Sequence, residues 1–201
     1  MAGCPAGDYK PLLPWPGGCV AAAAVRAAIS GGCRPLVVSG YRADELEAAL
    51  AGSGVDFERN PGWERGMLGS IALGARRARE LDPGGLGFLV SHADMPLVPP
   101  KAFTLLAAEA ERLTNGRAGE DAPQAVFCRA QGRLGHPVWL SYALIERLAS
   151  WDPGASLKAY LQEGRWAACE LDEALGASAA GLFTDLDTPE AYDRALASLG
   201  R

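Results

Sequence analysis

Short apolar runs that alternate with stretches of helical periodicity restrict the fold of this chain more than any other feature. Residues 35–39, 55–58, 87–91, 124–129, 137–140, 167–170 and 182–186 read as strands. Between them lie helical segments. Residues 20–30 are alanine-rich and closed by Gly31-Gly32, and 44–51 carry Leu46 and Leu50 on one face. In 66–81, Met67, Ile71, Ala75 and Ala78 recur at helical spacing. Further helices are expected over 100–113, 141–150, 155–163 and 189–199. Strands that are apolar along most of their length belong to a parallel or mixed sheet covered on both faces. The expected class is therefore α/β, a three-layer Rossmann-like mixed and mostly parallel sheet with helices on both sides. Its length of 201 residues, 49% of them hydrophobic, fits one domain spanning 1–201 with one sizeable core. In such sheets the ligand site lies at the carboxyl ends of the strands.

The charge balance narrows the partners. A net charge of −5 provides no basic field to draw the chain to nucleic acid or to an anionic membrane. The apolar stretches 19–24 and 87–91 fall short of the ~20 residues that cross a bilayer. The opening MAGCPAGDYK lacks the layout of a secretion signal, so a cytoplasmic location is expected. Five cysteines without CxxC spacing, beside two histidines, argue against a zinc site or a disulfide framework. Cys19, Cys128 and Cys169 read as reduced core residues, and Cys4 is not read as a nucleophile.

Three places carry chemistry. Glycines and prolines through the first seventeen residues make them loop, and Lys10 stands near its end. Loop amides and a lysine are what a polyphosphate requires, although a solvated surface lysine has the same sequence. Asp94 follows the run 87–91 and precedes Met95-Pro96. There a carboxylate can hold Mg²⁺ or cap the next segment. Asp185 and Asp187 flank Leu186, and strand alternation would send both carboxylates to one side. Either could join Asp94 around a cation, while Asp187 or Thr188 caps the last helix.

These pieces, with others in order along almost the whole chain, resemble the MobA-like NTP transferase domain family of molybdenum-cofactor nucleotidyltransferases. The matching parts are an AG…KPLLP opening over 2–14, N-P-x-W-x-x-G-M-x-x-S over 60–70, ADMPLV over 93–98, GHP over 135–137 and DLDTPEAY over 185–192. The resemblance implies a fold like that of the nucleotide-diphospho-sugar transferases. It also implies Mg²⁺-dependent transfer of a nucleoside monophosphate from an NTP to a phosphorylated acceptor such as molybdopterin, releasing pyrophosphate. In that reading Asp94 and Asp187 are the Mg²⁺ ligands and Lys10 meets the phosphates. The loop with Ala2, Gly3 and Gly7 wraps the triphosphate. Asn60, Gly66 and Ser70 line the nucleotide pocket, and His136, read as a lone exposed histidine, stands at the lip of the acceptor side. CTP is favoured over GTP, and a molybdoenzyme or maturation factor is the implied protein partner.

The chain departs from the family pattern at its opening. A hydrophobic first strand is lacking, CPAGDY carries no arginine before Lys10, Asp8 adds negative charge, and Ala93 replaces a glycine. These departures predict weak triphosphate binding. They keep in view a non-catalytic nucleotide- or cofactor-binding relative, beside a sugar-phosphate nucleotidyltransferase of the same architecture.

Overall fold

The computed structural model describes residues 9–115, 122–144 and 165–200. A 3-10 turn, Lys10–Leu12, opens the described chain, and β1 (Pro14–Trp15) pairs antiparallel with β2 (Gly18–Cys19). Helix α1 (Val20–Ser30) follows as expected, built from alanine, the best helix former. Its surface serves three clusters. Ala27 joins the main core, Val20 and Ala23 pack with Leu13, Trp15 and Tyr192, and Ala21 and Val25 pack with Leu46 and Leu50. A helix apolar on nearly every side has to be enclosed.

Strands β3 (Leu36–Ser39) and β4 (Asp56–Arg59) form a parallel pair, with α2 (Ala43–Ala49) between them in sequence. The larger sheet has the order β5-β7-β6-β8, from Gly87–Val90, Arg133–Ser141, Ala125–Ala130 and Trp166–Glu170. Only β7 runs against the other three. Helix α3 (Met67–Leu81) packs on β3, β4 and β5 and so spans the two sheets. At Gly74 a Cβ would collide with Val38, which shows how closely helix and strand approach.

The period of two along β6 divides the core into layers. Val126, Cys128 and Ala130 face Ala102, Phe103, Leu106 and Ala110 of α4 (Pro100–Thr114). Ala125 and Phe127 face Leu68 and Ile71 of α3 on the other side. The sheet thus has helices on both faces, as the unbroken apolar strands required.

Two sequence expectations need revision. β7 begins at Arg133 rather than at Pro137, because the turn is tighter than the one expected over 131–135. Gln131 and Gly132 both take left-handed φ values, 53° and 70°, which matches a two-residue hairpin turn. Pro137 survives within this central strand because a bulge lets Phe127 pair with Val138 and Cys128 with Gly135. The cis-linked His136-Pro137 pair is therefore skipped by the ladder, and the missing N–H is not called upon.

The second revision concerns 182–186, expected as a strand. A 3-10 helix, Gly176–Phe183, occupies this region and the chain runs on irregularly to Asp187. Its small residues let the backbone press against neighbours. Gly181 lies against the Leu97 backbone with no room for a side chain, and Leu182 is fully buried in the main core. A short apolar run cannot be told from a buried helical turn by periodicity. Helix α5 (Asp172–Leu175) precedes the 3-10 helix, and α6 (Pro189–Ser198) is the last described element.

The helices expected over 141–150 and 155–163 fall almost wholly outside the described residues. So do Ala2, Gly3, Gly7 and Cys4. Among the described residues no helix is long and apolar enough to cross a membrane.

Candidate active site

Three segments far apart in sequence converge beyond the carboxyl end of β5. Lys10 enters on the opening 3-10 turn, where Pro11 stands in the first turn and Leu13 is buried behind it. Asp94 sits in the turn after β5, anchored by the buried Met95. Asp187 lies between the 3-10 helix and α6. The Lys10 Nζ hydrogen-bonds Asp187 Oδ1 and stands 3.7 Å from Asp94 Oδ2.

The competition between capping and cation binding is resolved locally. Thr188 is the N-cap of α6, its Oγ1 accepting from the Ala191 N–H at 3.2 Å. The Asp187 carboxylate is thereby left to Lys10. Its hydrogen bond from the ammonium holds the Asp187 pKa below the usual carboxylate range, and the same bond raises that of Lys10. Asp185 lies near enough to add to the rise at Lys10.

The donor set can be tested against a divalent cation. Among the described residues no three His, Cys, Asp or Glu side chains gather tightly enough to hold a metal by themselves. Two carboxylates do converge on one positive charge, with one ammonium for both. That pattern fits Mg²⁺ or a similar hard ion, which takes one or two carboxylates and fills its shell with substrate phosphates.

The segment expected to line the nucleotide pocket is braced from within. Asn60 Nδ2 donates to Ser70 Oγ at 2.9 Å, and Asn60 Oδ1 accepts from the Gly62 N–H at 2.9 Å. The Asn60 N–H donates to the Ser39 carbonyl, tying the segment to β3. Gly66, at φ 106°, turns the chain into α3. Asn60 and Ser70 therefore hold the shape of this wall, with Asn60 itself buried. An aromatic chain links the wall to the lysine turn: Tyr9 meets Tyr41 at 5.5 Å between ring centroids, and Tyr41 meets Trp63 at 5.3 Å.

On another side of the carboxylates lies a cleft of about 190 Å³ lined by His92, Met95, Arg133, His136, Phe183 and Asp185, among others. His136 is neither lone nor exposed. Its ring meets that of His92 at 4.2 Å, so the chain's two histidines are brought together. His92 Nδ1 is 3.9 Å from Asp94 Oδ1. Burial, with His92 beside it, lowers the His136 pKa to about 4, and its Nδ1 is buried without a hydrogen-bond partner. Sequence reasoning passed over His92 and Arg133. His92 lies two residues before Asp94, directly ahead of the ADMPLV motif, which was the available signal. Arg133 had none, since it depended on where the hairpin begins.

Fold and site together define a nucleotidyltransferase-type α/β protein, and comparison with known proteins agrees. The family model described as "MobA-like NTP transferase domain" matches residues 3–169, and the chain belongs to that family of nucleotidyltransferases. The molybdenum cofactor cytidylyltransferase of Escherichia coli is 23% identical over 189 residues, covering 92% of this chain and 86% of that protein. Among solved structures, Rv0371c from Mycobacterium tuberculosis superposes with a TM-score of 0.73 at 23% identity, over 95% of this chain and 90% of its own. That protein has also been crystallised in complex with manganese, with a TM-score of 0.70 at 22% identity over 94% and 91% of the two chains. A nucleotidyl transferase from Methanothermobacter gives 0.73 at 24% identity over 96% and 86%.

Proposed function

We propose that this chain, acting as one domain, transfers a nucleoside monophosphate, preferentially from CTP, to the phosphate of a molybdopterin-class acceptor. The observation that carries this reading is the meeting of Asp94 and Asp187 on Lys10 at the end of β5. An acceptor phosphate oxygen bonds to the α-phosphorus as the bond from that phosphorus to the bridging oxygen breaks, and pyrophosphate leaves with the electron pair. The acceptor phosphate is already anionic at neutral pH, so no strong general base is needed. This agrees with a site in which the imidazole of His136 is neutral.

Asp94 and Asp187 would hold a divalent ion, Mg²⁺ in this reading, which when bound supplies charge neutralisation for the triphosphate. The manganese complex of Rv0371c supports a divalent ion in a protein of this fold. Lys10 would then exchange carboxylate oxygens for phosphate oxygens. Its raised pKa keeps it charged throughout the neutral range. Positive groups fixed beside the leaving pyrophosphate stabilise developing charge without reorganisation. The nucleotide wall, braced by Asn60 and Ser70, orients the base, and Gly66 lets the wall enter α3. The preference for CTP and the molybdopterin-class acceptor draw on the cytidylyltransferase relative. A molybdoenzyme or its maturation factor is the protein that would receive the product.

The test is pyrophosphate release from each of CTP, GTP, ATP and UTP with molybdopterin and Mg²⁺. Fastest release with CTP is expected, and a clear preference for ATP or UTP overturns the reading.

A further inference from the structure

We propose that Arg133 binds the phosphate of the acceptor, in the cleft it shares with His92, His136, Phe183 and Asp185. This deepens the nucleotidyl-transfer reading and rests on it. The guanidinium carbon of Arg133 stands 4.5 Å from the Phe183 ring centroid. Stacking occupies the flat face of a guanidinium and leaves its in-plane N–H donors free. Among the described residues no carboxylate comes within ion-pair distance of Arg133; Arg26, Arg65, Arg76, Arg79, Arg165 and Arg194 share that condition, but of all these only Arg133 lines the cleft with His92 and Asp185. A guanidinium held against a ring and without a protein counter-ion, in a cleft shared with His92, itself 3.9 Å from Asp94, is a receptor for a second anion.

The cleft's dimensions say how much of that anion's molecule enters. At about 190 Å³ it is smaller than the ~300–1,000 Å³ that encloses a drug-sized ligand. It takes the phosphate end of an acceptor and leaves the body outside. The arginine fork matches phosphate geometry with two parallel hydrogen bonds, which a lysine cannot reproduce. Asp185 on the same cleft repels an anion, so the phosphate is held toward Arg133 and His92 rather than Asp185. The cleft's walls are set by packing: a Cβ on Gly135 would strike Phe183 and the Leu182 carbonyl. The start of β7 and the 3-10 helix are therefore locked together, and Arg133 and Phe183 with them.

The probe is phenyl phosphate, titrated by calorimetry into the full chain alongside a separate titration of CTP with Mg²⁺. Arg133→Gln should weaken phenyl phosphate binding about tenfold or more, with Arg133→Lys intermediate and CTP binding changed less than about twofold. Arg34→Gln, whose guanidinium pairs with Asp56, serves as the control and should leave both titrations unchanged. Unchanged phenyl phosphate binding in Arg133→Gln overturns the assignment, as does an equal loss of CTP binding, which would place Arg133 on the nucleotide side. Absence of CTP binding with intact, Arg133-dependent phenyl phosphate binding would sink the nucleotidyl-transfer reading and leave the anion site standing.

Discussion

Lys10 and Asp187 are 177 positions apart and share a hydrogen bond at the edge of the sheet. The contact closes the opening turn onto the segment before the last helix, and Asp94 completes the group from the end of β5. Because the pair is exposed, its worth lies in placing charge rather than in stability.

Asp187 and its neighbour Thr188 therefore have separable roles. Thr188→Ala should cost about 1 kcal/mol of stability through loss of the helix cap, with nucleotide affinity preserved. Asp187→Asn should leave the melting curve nearly unchanged and abolish metal-dependent nucleotide binding. Paired denaturation and binding measurements on the two variants check this. A destabilised Asp187→Asn with intact binding would reverse the assignment.

The half-buried His136 gives the fold a dependence on pH. Its folded pKa, about 4, lies below the unfolded value near 6.5. Between those values the unfolded chain binds the extra proton, so stability falls as pH drops from 6.5 towards 4 and this contribution levels off below. The slope from this group approaches about 1.4 kcal/mol per pH unit in mid-window. His136→Gln should flatten the profile over that window in urea unfolding at successive pH values. A slope equal to that of the wild type would mean that His136 is solvated in the folded state.

Gly181 tests the 3-10 helix that replaced the expected strand. Any Cβ at this position meets the Leu97 backbone. Gly181→Ala should therefore destabilise the fold by about 1–3 kcal/mol, the usual cost of overpacking. A neutral effect in chemical denaturation would show that the segment does not dock on Leu97.

The parts of the fold legible in the sequence were those with long or unambiguous periodicity. Met67, Ile71 and Ala75 foretold α3, and the apolar run at 87–91 foretold β5 with Asp94 beyond it. Pro137 hid the start of β7 because proline argues against a central strand, and only the bulge opposite Phe127 and Cys128 explains its presence. Leu182 and Leu186 were placed on a strand, since nothing local separates a buried strand from a buried helical turn. Asp185 and Asp187 still reach the Lys10 region, by way of the irregular chain after Phe183 rather than by strand alternation. The His92–His136 contact depended on long-range pairing of β5 with β7, which no local pattern contains.

The most direct test of the account is a calorimetric titration of CTP into the wild-type chain and into Lys10→Ala and Asp94→Asn, each with Mg²⁺ and with the metal chelated. The wild type should bind CTP only when the metal is present, and both variants should lose that binding while keeping their folded circular dichroism spectra. Metal-independent binding, or binding undiminished in Asp94→Asn, would contradict the claim that Lys10, Asp94 and Asp187 form the nucleotide-handling centre.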